Sequence, residues 1–223
     1  MPEAPTDLLI EKLAGDLKPV TRLPSPWRRT ALWFCAVLWL FGLFALFTDF
    51  GTLSHRLMQT PDMGLSFIAA LLTGVLAALA AFLTSVPGRS AAWALLPLPP
   101  LAAWLAAGTA GCLRTEAAAW THPESPMHPM LCIYVIVLIS APLSALLMWQ
   151  IMRACPLRPA LTASLAGLAS AGAAAVILTM VHPFDATYTD LLAHLAAVLL
   201  VVGGVRVIGT RMLYKIRRKN LLS

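Results

Sequence analysis

Gly64-Leu65-Ser66-Phe67-Ile68-Ala69-Ala70-Leu71-Leu72-Thr73-Gly74-Val75-Leu76-Ala77-Ala78-Leu79-Ala80-Ala81-Phe82-Leu83-Thr84-Ser85-Val86 is an unbroken run without a charged side chain. At 1.5 Å per residue, roughly 20 apolar residues span the ~30 Å hydrocarbon core of a bilayer as a helix. Five further apolar stretches of this length lie at residues 30–49, 91–112, 130–152, 160–181 and 190–210. None shows the period-2 alternation of a barrel strand. Backbone groups in lipid must bond within their own segment, which predicts helices. The composition agrees: 59% of the 223 residues are hydrophobic and 12% charged, whereas soluble domains carry roughly a quarter charged residues. The fold class expected is an all-α integral membrane protein with six transmembrane helices. The Ala, Gly, Ser and Thr of the second and fifth spans, as in Gly167-Leu168-Ala169-Ser170-Ala171-Gly172, permit close helix approach and place those two spans inside the bundle.

Charge distribution predicts the orientation. Every Lys and Arg except Arg56 and Arg114 falls in the N-tail, the turn at Arg89, the turn from Arg153 to Arg158, or the C-tail counted from Arg206. Asp49, Asp62, Glu116, Glu124, Asp185 and Asp190 fall on the opposite side. Cations collect on the cytoplasmic face, so both termini are expected there. The pI of 9.6 then reflects topology rather than nucleic-acid binding. The organisation expected is a cytoplasmic N-tail over 1–29, a six-span bundle over 30–210 and a basic cytoplasmic C-tail over 211–223. The N-terminus lacks the short basic region and 7–15-residue apolar core of a signal peptide. No lipidation motif and no convincing internal repeat is evident.

The N-tail contains an amphipathic segment. Thr6 is positioned to cap a helix starting at Asp7, and Pro19 to end it. Leu9, Leu13 and Leu17 recur every four residues beside Leu8, Ile10 and Ala14, with Asp7, Glu11, Lys12, Asp16 and Lys18 at the polar positions. Three turns are marginal alone in water, so the apolar stripe requires a partner. One reading lays it on the membrane surface; the other docks it into a groove on a soluble protein. Its acids favour the second, since anionic lipid attracts basic helices.

Chemistry-bearing residues are sparse. Cys112 ends the third span and Cys132 begins the fourth, both near the outer face, with His122 and His128 between them and His182 at the outer end of the fifth span. Thiolate and imidazole suit soft and borderline metals, and two thiols can form a redox pair; the alternative is plain helix packing. No tight Cys-x-x-Cys motif is present, and Cys35 and Cys155 read as structural. Asp190 and His194 lie one turn apart at the outer end of the sixth span. No Asp, Glu or Lys occupies the centre of a span, which weighs against proton-coupled transport. Pro97, Pro99 and Pro100 are expected to kink or break the third span, a kinked packing helix being the commoner outcome. Metalloprotease, nucleophile-elbow and phosphate-loop motifs are absent, so no enzyme is expected. Arg211, Lys215, Arg217, Arg218 and Lys219 resemble a juxtamembrane anchor for anionic lipid.

Several segments resemble the NrsF-type family, the negative regulators of sigma F. They are Thr6-Asp7-Leu8-Leu9-Ile10 through Asp16-Leu17-Lys18-Pro19-Val20, Pro26-Trp27-Arg28-Arg29, and Ser85-Val86-Pro87-Gly88-Arg89 with Trp93 and Leu95-Leu96-Pro97-Leu98. Cys132 before Ser140-Ala141-Pro142, Pro156-Leu157-Arg158-Pro159 with Ala166-Gly167-Leu168-Ala169, and His182-Pro183-Phe184-Asp185 before His194 complete the series. The resemblance covers nearly the whole chain. It implies a bacterial inner-membrane anti-sigma factor that sequesters an extracytoplasmic-function sigma factor and releases it under oxidative or heavy-metal stress. On this reading Leu9, Ile10, Leu13 and Leu17 hold the sigma factor. Cys132 matches the first of two periplasm-facing sensing cysteines, but His182 stands where the second is expected. A Cys132–His182 metal site, or Cys112 as the thiol partner, would compensate. A transition or heavy metal ion enters as signal, not as resident cofactor, and no direct nucleic-acid contact is implied. The competing readings are a small transporter or channel, which predicts a polar path through the bundle, and a structural subunit of a membrane complex.

Overall fold

A computed structural model describes residues 5–15, 22–119, 129–154, 156–181 and 188–222. The N-tail helix α1 runs Pro5–Gly15. The six long apolar helices are α2 (Pro26–Ala45), α4 (Pro61–Ser85), α5 (Leu98–Ala119), α6 (Pro129–Met152), α7 (Pro159–Val181) and α8 (Tyr188–Leu222). A short helix, α3 (Phe50–Gln59), joins α2 to α4, and a 3-10 helix, Ala91–Leu95, precedes α5. No strand occurs among the described residues.

Proline and small polar side chains set the helix starts. Pro26, Pro61, Pro129 and Pro159 each open a helix, where the missing N–H is not needed. Ser25 caps α2 by accepting a hydrogen bond from the Arg28 amide at 3.3 Å. The span expected over 30–49 therefore starts and ends about one turn earlier. Asp49 accepts from the Gly51 and Thr52 amides and from the Thr52 hydroxyl, at 3.0, 3.4 and 2.7 Å, at the start of α3. Those bonds, led by the Thr52 hydroxyl, hold the Asp49 carboxyl below its usual range. α3 was not anticipated from the sequence, although Asp49 followed by Thr52 is a legible capping signal.

Pro97, Pro99 and Pro100 interrupt the third span as expected, leaving the 3-10 turn on one side and α5 on the other. The turn before it contains Pro87 and Gly88, with the Arg89 amide bonded to the Val86 carbonyl at 3.3 Å and Gly88 at φ 82°. Positive φ at this position is why glycine follows the proline. α8 continues without a break from its apolar half into Arg211 and Lys215.

α4 and α7 form the centre, as their composition predicts: 67% and 78% of their apolar windows are buried, against 11–44% for the other four. A Cβ on Gly172 would lie 3.0 Å from the Ala70 carbonyl oxygen and the Gly74 nitrogen, and one on Gly74 would lie 3.2 Å from the Ala169 oxygen. The two backbones thus touch where neither helix has a side chain. Gly167 plays the same part against α8, where an added Cβ would lie 2.8 Å from the Val202 Cα. α2, α6 and α8 pack around this pair, and α5 lies chiefly against α4.

Candidate functional site

The N-tail helix is the most unusual surface. Leu8, Leu9, Ile10 and Leu13 are 55–62% exposed on α1, and α1 packs extensively on no other element. Its start at Pro5 places Thr6 inside the first turn rather than at the cap expected from the sequence. Leu17, with Asp16, Lys18 and Pro19, lies outside the described residues. Three of the four expected docking side chains, Leu9, Ile10 and Leu13, are therefore present on a helix whose apolar positions the other described residues leave uncovered.

Where the N-tail meets the bundle, a buried arginine fastens it. Arg29, in the first turn of α2, is 3% exposed. Its guanidinium donates to the Ser85 hydroxyl at 3.4 Å and to the Gln150 carbonyl, and its carbon lies 4.3 Å from the Phe82 ring centroid. Thr84 and Thr162 share a hydrogen bond of 3.3 Å in the same end of the bundle. One turn further along α2, the buried Trp33 indole donates to the Leu143 carbonyl at 3.3 Å. α2 is thus tied to α4 through Ser85 and Phe82, and to α6 through two main-chain carbonyls. By sequence position Arg29 falls among the N-tail cations. No local pattern marks it as buried, because its partners lie 56 and 121 residues away.

Both described sensing candidates are buried. Cys132 is 0% exposed and belongs to the main core with Ile136, Ile177 and Ala197, while Cys112 is 3% exposed on α5. α5 and α6 share no extensive packing. His182, His122, His128 and Cys155 lie outside the described residues, so the Cys132–His182 site lies outside what the geometry addresses. Among the described residues no three His, Cys, Asp or Glu side chains converge. Nearby, Arg114 bonds Asp62 at 3.0 Å, joining α5 to α4. His194 is half-buried on α8, and the Asp190 side chain lies outside the described set.

A cleft of about 530 Å³ runs between α4, α5, α7 and α8. Phe67, Leu101, Trp104, Leu165 and Val198 are typical of its walls, and Asp62, Arg114 and His194 are the ionisable groups among the described residues that line it. They sit at one end, and Ser66, Ser164 and Thr179 are the described hydroxyls along its walls.

No curated protein and no solved structure matches the chain. The family model described as "Negative regulator of sigma F" matches residues 13–214, nearly the whole length. With the resemblance of its motifs and this match in agreement, the chain belongs to the NrsF family of negative regulators of sigma F.

Proposed function

We propose that the protein is a membrane anti-sigma factor that holds an extracytoplasmic-function sigma factor at the cytoplasmic face through α1 and releases it on metal or oxidative stress. Membership of the family implies negative regulation of sigma F, and with it a sigma-factor partner; NrsF is a regulator family rather than an enzyme class. The observation that carries the docking role is the uncovered apolar face of α1, formed by Leu9, Ile10 and Leu13. An amphipathic helix presents such residues to a groove on a partner. Its acids disfavour anionic lipid as that partner. Leu17 extends the same four-residue spacing.

Both termini face the cytoplasm in this reading, because the alternative would translocate nearly all the cations. The six apolar helices then form an inner-membrane anchor, with 1–29 as the docking tail, 30–210 as the bundle and 211–223 as the basic tail. Cys132, with His182 or Cys112, is the sensing centre. Metal coordination or thiol oxidation there reshapes the packing around α6, and α6 carries the Gln150 and Leu143 carbonyls that hold α2. Converting a mostly bound population to a mostly free one requires about 5.5 kcal/mol of differential binding. Metal or disulfide chemistry supplies energies on that scale, whereas one hydrogen bond contributes about 1 kcal/mol.

The test is a pull-down of the tagged full-length protein from solubilised membranes, beside Leu9→Asp/Leu13→Asp. Two buried carboxylates in an apolar groove are strongly unfavourable, so the variant should lose the sigma factor while keeping its membrane level. Retention by both forms would move the docking surface off α1. Recovery of no sigma factor by the intact wild-type protein would overturn the function.

A further inference from the structure

At the inner end of α7 and α8 a cleft of about 480 Å³ is lined by Leu157, Arg158, Pro159, Arg206 and Tyr214. Its charge is unbalanced. Arg158 stands at the cap position of α7, where its carbonyl accepts from the Thr162 amide at 3.1 Å. A helix N-terminus carries roughly half a positive charge and favours an anion, yet the side chain at this end is cationic. Ala160 and Leu161, whose amides belong to the first helical turn and lack intrahelical acceptors, line the same cleft. Arg206 faces it from α8, in the apolar half of that helix. Among the described residues neither arginine pairs with a carboxylate. The turns at residues 86–90 and 153–158 contain no Asp or Glu, and none follows Asp190, so the acids expected on this face are those of the N-tail, Glu3, Asp7, Glu11 and Asp16.

An exposed arginine within an apolar span is costly without a counter-ion. It reaches towards the headgroup layer when its stem is long enough. Tyr214 lies two turns further along α8, about 12 Å on at 1.5 Å per residue, and its ring suits the interface. Two guanidinium groups, a phenol and a helix N-terminus around one cleft form a donor set for a phosphate. We propose that this cleft binds a phosphate group, and that the phosphate is the headgroup phosphodiester of an inner-leaflet anionic phospholipid. It is distinct from the diffuse attraction of the basic tail, because two arginines converge on one volume. A lipid seated there would also tie the start of α7 to α8 at the cytoplasmic face.

The full-length protein in detergent is titrated with short-chain phosphatidylglycerol, and separately with inorganic phosphate, and read by native mass spectrometry. Arg158→Gln/Arg206→Gln should weaken lipid binding by about tenfold or more, the scale of a lost charge-assisted contact. The charge-matched Arg22→Gln/Arg89→Gln should change it less than about twofold, as screened surface charges do. Equal losses in the two double variants would mean a diffuse electrostatic effect and overturn the site. Unchanged binding in Arg158→Gln/Arg206→Gln would overturn it as well. Inorganic phosphate binding as tightly as the lipid, with the same sensitivity, would overturn the lipid assignment. Should the double variant aggregate, Arg206→Lys keeps the charge but loses the fork. A folded Arg206→Lys protein should still bind lipid several-fold more weakly, and wild-type binding there would sink the proposal.

Discussion

Arg29 shows how much one side chain does at the junction of tail and bundle. It is buried with a hydroxyl, a carbonyl and an aromatic ring as partners, in place of a carboxylate. A cation in such a site is stable only while its donors are used. Arg29→Ala leaves the Gln150 carbonyl without this donor and opens a void beside Phe82. A loss of about 2–4 kcal/mol is expected, since it combines a charged hydrogen bond with lost packing. Arg29→Met fills the space with apolar volume and should be milder, because buried charges are often replaceable by packed apolar groups. Thermal unfolding of the two variants in one detergent checks the order; a methionine variant as damaged as the alanine variant would assign the effect to charge rather than volume. Asp49 is the contrasting case of a polar residue readable in advance, because its partners Gly51 and Thr52 are its sequence neighbours.

Among the elements, α4 and α7 depend on what they lack. The close approach of Gly74 and Gly172 puts backbone against backbone. No flexible side chain stands there to yield. Gly172→Val should therefore force the helices apart at a cost of about 1–3 kcal/mol, the usual range for overpacking. Gly204→Ala on α8 meets nothing within 4 Å and should be neutral. Melting temperatures of the two variants test the contrast, and equal stability would show that the α4–α7 contact absorbs a side chain. α5 is the opposite kind of element. Its three prolines shorten it at one end, and it packs mainly on α4, which leaves the long apolar cleft beside α8. α1 stands apart from all of these, with its leucines outward.

At the scale of the whole molecule, the proposed switch must pass from one membrane face to the other. Cys132 lies at the outer end of α6 in the proposed topology, and Gln150, near the other end, accepts from Arg29. α6 carries both the proposed sensing residue, Cys132, and the Gln150 carbonyl that accepts from Arg29, with Pro142 between them. Cys132 is buried among the described residues, so the proposed mechanism requires a route by which metal or oxidant reaches the thiol. Cys132→Ser should blunt induction of the sigma regulon by metal, with Cys132→Ala as the packing control. An unchanged response in both would remove Cys132 from the mechanism.

The six long helices and the central place of α4 and α7 were legible in the sequence, although α8 runs on past the expected 210 to Leu222 and α5 ends at Ala119 rather than 112. Each follows from local composition: apolar length matches the bilayer, prolines and caps mark ends, and small residues mark close approach. Leu9, Ile10 and Leu13 were legible for the same reason, since their face is set by helical period alone. The burial of Arg29, the place of Cys132 in the main core, and the shared cleft of Arg158 and Arg206 were not. Arg158 and Arg206 belong to different helices, and Arg29 meets side chains from α4 and α6. Such contacts depend on how the helices pack, and hydropathy carries no information about which face of one helix meets which face of another.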